Sequence, residues 1–264
     1  MAPSKQARGN DHISKIAADA GFTHWHTLWN ANPALHAQRH NPNLLFKGDQ
    51  THVGDELTIP DREANDVVAA SGSRHRFVLR SDTLFLRLRV LKADFTAIAP
   101  AAYTLTVDGT SFTGQTDRFG QLVAEIPRTA QAGELVVRAV AADIDPAGAP
   151  SPGGAPLRGP VPLRWSLQIG ALNPLMEQAP TDDCISGVQQ RLNNLGFQSG
   201  PVTGVLDDTT RAALREFQVM LGLLATGTPD QARTQPELRA VHDTPDSVRG
   251  PCAATHSTAS SVQP

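Results

Sequence analysis

The sequence is poor in cysteine, in tyrosine and in long apolar runs. It has two cysteines and one tyrosine, its net charge is −3, and its pI is about 6.3. No stretch reaches the roughly twenty apolar residues that span a bilayer, and the charge balance provides no basic surface for nucleic acid. The N-terminal segment MAPSKQARGNDHIS also lacks the apolar core of a secretory signal peptide. We therefore expect a soluble chain made in the cytoplasm, with no nucleic-acid or membrane partner.

The two cysteines are too few for a disulfide framework or a cysteine-based metal site. Cys184 and Cys252 stand on either side of a helical region, so a bond between them is one interpretation. Two separate thiols in a reducing compartment are the other, because cytosolic chains rarely keep disulfides. Both interpretations stay open.

Recognisable catalytic motifs are missing as well. The sequence has no G-x-S-x-G element, no P-loop and no cysteine with an evident histidine base. His12 and Asp19 have a spacing found among zinc ligands, but on a helix they would stand about 10 Å apart along the axis. His24 and His26 would not face each other on a helix either. We therefore expect a non-enzymatic protein with no catalytic residue, metal or cofactor.

Residues 184–241 carry the strongest pattern in the chain. Apolar residues recur there with helical spacing in two runs, which predicts two amphipathic helices, and a shorter third helix follows around Leu238. Two similar turns, at Thr203-Gly204 and Thr226-Gly227, are each followed by an aspartate placed to accept N–H bonds at the start of the next helix. The two apolar runs are Val188, Leu192 and Leu195, then Leu214, Phe217, Leu221 and Leu224.

This order of residues resembles the three-helix peptidoglycan-binding domain found beside cell-wall hydrolases. The resemblance implies a site built from amide groups, an apolar plate and a cation for a stem-peptide carboxylate. Arg211 is the candidate cation, with a solvated first-turn arginine as the alternative, and Phe217 is expected in the core. The matching residues are Val188-Gln189, Leu192, Leu195-Gly196, Gly204, Thr210, Ala213, Phe217-Gln218 and Gly222-Leu223. The implied peptidoglycan-binding residues are Asn193, Asn194, Phe197, Gly204, Arg211 and Gln218.

The N-terminal residues indicate a smaller unit. The segment DHISKIAADAGF predicts a helix with Asp11 as its N-cap and Gly21 as its end, a second helix runs from Thr23 to Asn30, and the segment LTIP predicts a returning strand. This order resembles the LysM module, a small βααβ wall-binding unit, here with a shortened first strand and lengthened loops. The resemblance implies a sugar groove formed by Asp11, His12, Ile13, Pro42, Asn43 and Leu44.

The middle of the chain has the alternating pattern of strands. In TLFLRLRVL the leucines alternate with Phe85 and two arginines, and Asp108-Gly109 is a strong hairpin signal. About six strands at short spacing predict a β-sandwich. The segment YTLTVDGTSFTGQTDRFGQLVAEIP resembles transthyretin-like or carboxypeptidase-regulatory sandwiches. A stretch rich in Pro, Gly and Ala at 145–162 predicts a mobile loop.

Together these patterns predict a multidomain α+β chain. Its parts are a LysM-like domain at 1–62, an all-β sandwich at 63–170, an all-α peptidoglycan-binding-like domain at 171–243 and a disordered tail at 244–264. This architecture resembles proteins associated with type VI secretion and phage-tail-like contractile injection systems. The resemblance implies a non-catalytic binder of peptidoglycan glycan or stem peptide, delivered to the periplasm or cell wall by a route other than general export. A structural or adaptor role toward spike or tail proteins is the alternative, and a wall-degrading toxin is a third hypothesis.

Overall fold

The computed structural model describes residues 3–62, 68–76, 82–92, 94–140, 160–175 and 184–243. These residues form six helices and eight strands, and their buried apolar side chains gather in three clusters. The coarse α+β prediction is therefore confirmed. The predicted tail, Cys252 and most of the predicted loop at 145–162 lie outside the described residues. The end of that loop differs from the prediction, because residues 160–162 pair with residues 138–140 as part of a strand.

The first apolar cluster lies in residues 3–62. Two short strands pair antiparallel there, and three short helices lie between them in sequence. The predicted strand–helix–helix–strand order is therefore present, with one additional helix that begins at a proline. The elements are β1 (Ser4–Gln6), α1 (Ile13–Asp19), α2 (Trp25–Asn30), α3 (Pro33–His36) and β2 (Glu56–Thr58).

Helix α1 begins one residue later than its predicted cap implies. His12, not Asp11, is the N-cap, because its backbone is extended and its Nδ1 accepts the N–H of Lys15 at 3.3 Å. Asp11 is one position too early for this bond and instead accepts the N–H of Arg8 at 3.2 Å. The predicted helix end at Gly21 is confirmed by the left-handed φ of 81° at this residue.

The middle of the chain forms two antiparallel sheets around the second apolar cluster. The strands are β3 (Leu84–Arg89), β4 (Ala102–Val107), β5 (Thr110–Gln115), β6 (Gln121–Ile126), β7 (Ala132–Val140) and β8 (Pro160–Gln168). Four of them have the order β5-β4-β7-β8, and β3 pairs with β6. Both sheets contribute to one core, in which Leu105, Leu122 and Val137 are buried. The relation to transthyretin-like or carboxypeptidase-regulatory sandwiches stays a prediction.

Local patterns in these strands follow the sequence. The leucines of β3 pack against the core, while Phe85 and Arg87 are exposed. Strands β4 and β5 are joined by Asp108-Gly109, whose φ values of 46° and 81° belong to the tight turn that suits a two-residue hairpin. The hairpin prediction is therefore confirmed.

The third apolar cluster is helical. Its helices are α4 (Ile185–Asn194), α5 (Asp208–Met220) and α6 (Thr234–His242), so the three predicted helices are present. Phe217 is fully buried in this cluster, as predicted. Leu224 does not continue the apolar stripe of α5, because that helix ends at Met220, and Leu224 is 81% exposed.

Phe95 enters the helical core from the β-rich part of the chain. It is buried and has a left-handed φ of 63°. Its ring centroid lies 5.6 Å from that of Phe197, which meets Phe217 edge-on at 5.5 Å. The helical core therefore contains a side chain from outside residues 171–243.

Asn173 joins the N-terminal unit to the helices. Its Oδ1 accepts the N–H of Lys47 at 3.0 Å, and its Nδ2 donates to Ser186 Oγ at 2.9 Å. Its backbone carbonyl accepts a bond from the guanidinium of Arg191 at 2.7 Å. Because an asparagine side chain carries both donors and acceptors, one buried residue ties these segments together.

Candidate functional site

The first glycine turn of the helical region is held by a buried glutamine of α4. The Oε1 of Gln189 accepts the backbone N–H groups of Thr203 and Gly204, both at 2.9 Å. Its Nε2 lies 2.9 Å from the hydroxyl of Thr210 and 3.1 Å from the carbonyl of Val205. One fully buried side-chain amide thereby pairs with both donors and acceptors of the turn.

The second glycine turn is held in the same way by a glutamine of α5. The Oε1 of Gln218 accepts the N–H of Gly227 at 2.9 Å. Its Nε2 lies 3.0 Å from the carbonyl of Thr228, 3.0 Å from the hydroxyl of Thr226 and 2.9 Å from that of Thr234. The two similar Thr-Gly turns of the sequence therefore form a structural repeat, in which a glutamine of each helix holds the turn that follows that helix.

An aspartate completes each repeat. Asp207 is the N-cap of α5 and accepts the N–H of Thr210 at 2.8 Å, as predicted. Asp230 accepts the N–H of Arg233 at 2.8 Å, just before α6 begins. The hydrogen bonds from Thr210 lower the pKa of Asp207, and the bond from the Thr234 hydroxyl lowers the pKa of Asp230. Both carboxylates thus serve the turns, which explains them without catalysis.

Three of the implied peptidoglycan-binding residues make contacts inside the helical region. Gln218 holds the second turn, and the ring of Phe197 is buried in the helical core. Gly204 gives its N–H to Gln189, and Asp49 packs so closely against it that a β-carbon would clash with the carboxylate. The expectation that Phe197 and Gln218 contact a ligand is thus corrected, because their side chains do not reach the surface.

The two implied asparagines are exposed but engaged within the protein. Asn193 Oδ1 accepts the N–H and the hydroxyl of Ser199, both at 2.9 Å, and its Nδ2 donates to the carbonyl of Gly200 at 2.9 Å. Asn194 Nδ2 lies 3.0 Å from Nε2 of His242. Asn193 therefore orders the loop after α4, and Asn194 is the asparagine with more freedom to meet a ligand.

Arg211 and Arg215 form a pair of cations on α5. They are four residues apart, so they lie on one face of the helix. Arg211 is half-buried, and its guanidinium has no hydrogen bond or ion pair among the described residues. Arg215 is exposed and packs over Gly227, since its Nε would lie 3.0 Å from a β-carbon at that position. This arginine pair therefore lies beside the second glutamine-held turn. The sequence pattern indicated only Arg211 as a candidate cation.

The structure brings together the two loops of the implied LysM-like groove. Asn43 Oδ1 accepts the hydroxyl of Ser14 at 2.9 Å and its N–H at 3.3 Å, so the start of α1 and the loop at 42–45 are neighbours. Pro42 and Leu44 are half-buried beside this contact. Asp11 is almost buried.

Two further residues of the implied groove face other parts of the protein. Ile13 is fully buried in the N-terminal core. His12 is 1% exposed, and its Nε2 donates to the carbonyl of Ala130 at 3.1 Å. Asn10 Nδ2 donates to the carbonyl of Gln131 at 2.9 Å. The expectation that His12 and Ile13 line a sugar groove is therefore corrected. The β-rich part of the chain covers His12, and Ile13 lies in the N-terminal core.

Lys47 is a half-buried lysine at the same junction, and no sequence pattern indicated it. Its Nζ donates to the carbonyls of Leu45 at 2.6 Å and Leu172 at 3.2 Å. Burial lowers the pKa of Lys47 to about 7, although the charges of Asp55 and Asp11 oppose this effect. Burial also lowers the pKa of His12. The junction therefore favours neutral forms of both groups.

The segment that contains the two turns is similar to a known family. A family model described as "Putative peptidoglycan binding domain" matches residues 182–233. Within the described residues, this matched segment comprises α4, α5 and both glutamine-held turns. No curated protein and no solved structure matched the chain.

The part of the chain that the structure describes has neither a cluster of metal ligands nor a membrane-spanning helix. No group of three or more His, Cys, Asp or Glu residues there could hold a metal ion, and no helix there is long and apolar enough to cross a membrane. His24 and His26 nevertheless share a partner. Their Nδ1 atoms lie 2.9 and 3.9 Å from the carboxylate of Asp82, because His24 precedes α2 and has extended backbone.

Proposed function

We propose that the protein binds peptidoglycan without cleaving it, and that the peptidoglycan-binding domain supplies the main site. The family match at 182–233 is the observation that carries this proposal. The two glutamine-held turns support it, since they provide a rigid scaffold on which surface groups keep a fixed position.

The arginine pair is the part of this scaffold best suited to a wall ligand. Stem peptides carry carboxylates, and a guanidinium binds a carboxylate through two parallel charge-assisted hydrogen bonds. Arg211 has no partner of its own among the described residues, so a ligand would not have to displace an existing ion pair. We therefore assign recognition of a stem carboxylate to Arg211, with Arg215 beside it on the same helix face.

The test is a binding assay of the full-length protein on isolated cell-wall sacculi. Arg211→Ala should weaken binding by about 1.5–3 kcal/mol, because a hydrogen-bonded charge is lost. Arg87→Ala is the matched control, since Arg87 is an exposed arginine of β3 far along the chain from the domain. The control should change binding by no more than about 0.5 kcal/mol. Equal binding by both variants would remove Arg211 from the site.

The non-catalytic part of the proposal has its own test. The protein, purified without chelator, should contain no stoichiometric zinc by metal analysis and should leave sacculi intact in zymography. The acids beside the helices are occupied in capping, which supports this expectation. Clearing of sacculi that is lost in a His12→Ala variant would overturn it.

A second proposal concerns the injection machinery. The resemblance of the whole architecture to injection-system proteins supports a role beside spike or tail proteins. The contacts of Asn173 and Phe95 favour this role, because a component of a particle has to keep a fixed shape. Co-purification of the full-length protein with spike or tail components is the experiment that tests it.

A further inference from the structure

Helices α2 and α3 carry a group of stacked aromatic rings at the surface, which we call the Trp–His cluster. It consists of Trp25, His26, Trp29 and His36. The ring of His26 stacks on Trp25 with centroids 3.7 Å apart, and His36 stacks on Trp29 at 4.5 Å. The two tryptophans meet edge-on at 6.5 Å. Four rings thus form one continuous aromatic surface.

The cluster is exposed to solvent at its histidines, and it contains most of the tryptophans of the chain. The chain has only three tryptophans, and two of them are here. Both tryptophans are half-buried and rest on the N-terminal core, while both histidines are exposed. The His26 side chain is 60% exposed. The indoles of the cluster therefore rest on the core, and its two imidazole rings face the solvent.

Polar groups fix the edge of the cluster. Asp82 accepts the N–H of Trp25 at 2.8 Å, and its carboxylate lies 3.9 Å from His26 Nδ1. His36 Nε2 lies 2.9 Å from the carbonyl of Trp29. Within the described chain, each of these imidazoles uses one ring nitrogen in such a contact. The other nitrogen of each ring is left to meet a hydroxyl group.

These features match a sugar ring. A pyranose ring presents a face of C–H groups, which packs on the electron-rich face of an aromatic ring, and a rim of hydroxyl groups, which needs polar partners. The cluster offers both kinds of group, whereas Leu28 and Leu35 of the same helices are buried. Val53 is the one large apolar side chain strongly exposed in residues 3–62.

We propose that the Trp–His cluster binds a pyranose ring of a glycan. The site shares no residue with the loops at 10–13 and 42–45 or with the arginine pair. It goes beyond the proposed function by adding a second site, with a different ligand chemistry, in the N-terminal unit.

The experiment uses the full-length protein with Trp165→Phe, so that Trp25 and Trp29 are its remaining tryptophans. The probe is the tetrasaccharide of N-acetylglucosamine, which carries no stem peptide. We expect a saturable change in tryptophan fluorescence on titration. Absence of a saturable change in this parent protein would by itself overturn the proposal.

Variants locate the site. Replacing His26 and His36 together with alanine should weaken tetrasaccharide binding by at least roughly fivefold, because two stacked rings are lost. His75→Ala, which removes an exposed histidine elsewhere, is the matched control and should titrate like the parent. A double variant that binds as the parent does would overturn the proposal. If that variant does not fold, His26→Ala alone gives the same decision.

The two proposed sites can be refuted independently of each other. Arg211→Ala should leave the tetrasaccharide titration unchanged, because the probe has no carboxylate for the arginine pair. Sacculus binding that depends on Arg211, together with no tetrasaccharide signal, would refute the Trp–His site and keep the proposed function. The opposite pattern would keep the Trp–His site and refute the arginine assignment.

Discussion

Replacing Arg191 with methionine tests whether the ion pair between this buried arginine and the partly buried Asp243 holds α6 on α4. Arg191 is 1% exposed, and its Nε and one terminal nitrogen lie 2.9 and 2.8 Å from the carboxylate of Asp243. Its other terminal nitrogen donates to the carbonyls of Asn173 and Gly187 at 2.7 and 3.0 Å. Removing one partner of a buried pair leaves the other partner without compensation and costs about 3–5 kcal/mol. We expect Arg191→Met to lower the free energy of unfolding by about this amount.

The titration of Asp243 provides a second measure of the same pair. Burial alone would raise the pKa of Asp243, but the hydrogen bond from His242 and the charge of Arg191 lower it from 3.8 to about 2. A carboxylate whose pKa falls on folding stabilises the protein fully above its unfolded pKa, and this stability is lost as the pH falls through the folded pKa. The difference corresponds to roughly 2 kcal/mol. The stability gap between the parent and Asp243→Asn should therefore be constant at neutral pH and shrink between about pH 4 and pH 2.

The assay is urea unfolding of the full-length protein, followed by far-ultraviolet circular dichroism. Arg233→Met is the matched control, because Arg233 is an exposed arginine at the start of α6. This control should change the free energy of unfolding by no more than about 0.5 kcal/mol. A loss below about 1 kcal/mol for Arg191→Met would show that the pair behaves as a surface pair. A gap that does not depend on pH would refute the role of Asp243.

Three further predictions concern the helical region and use the same unfolding assay. Phe217→Ala should cost about 3–5 kcal/mol, because the ring is fully buried, and an unchanged midpoint would contradict its core position. Residues 171–243 should fold alone as helices, with a smaller free energy of unfolding than in the full chain. Phe95→Ala should lower the free energy of unfolding of the full chain toward that value. Equal stability with and without the Phe95 ring would refute its part in the core. Gln218→Ala should cost about 1–3 kcal/mol, because buried groups of the second turn lose their partner, whereas the exposed Gln198→Ala should have little effect.

The helices and the hairpin could be predicted because their signals are local. Leu192 and Phe217 belong to apolar runs with helical spacing, and Asp108-Gly109 fixes a turn through its own backbone preference. The glutamine frameworks were harder to predict. Gln189 stands fifteen residues before Gly204, whereas Gln218 stands nine before Gly227, so the repeat has no constant period in the sequence. Two glutamines that each precede a Thr-Gly turn were the available signal.

The junctions could not be predicted, because they depend on which surfaces meet. His12 has the sequence context of an exposed residue near a helix start, yet the carbonyl of Ala130 covers it. Lys47 stands in a polar loop with turn residues on both sides, and only the fold brings its Nζ to the carbonyl of Leu172. The same limit affected the candidate site. Phe197 looks like an exposed loop aromatic until Phe95 is seen to pack on it.

The joint at Asn173 has a consequence for how two recognition surfaces would act on a meshwork. A protein with flexible linkers can place its two binding sites at many separations. A protein whose modules are rigidly joined holds its sites at one fixed distance. The buried side chain of Asn173 hydrogen-bonds both to Lys47 of the N-terminal unit and to Ser186 of α4. The Trp–His cluster and the arginine pair would then select wall strands by the distance between a sugar and a carboxylate. Loosening this joint would make the protein a less selective binder without altering either surface.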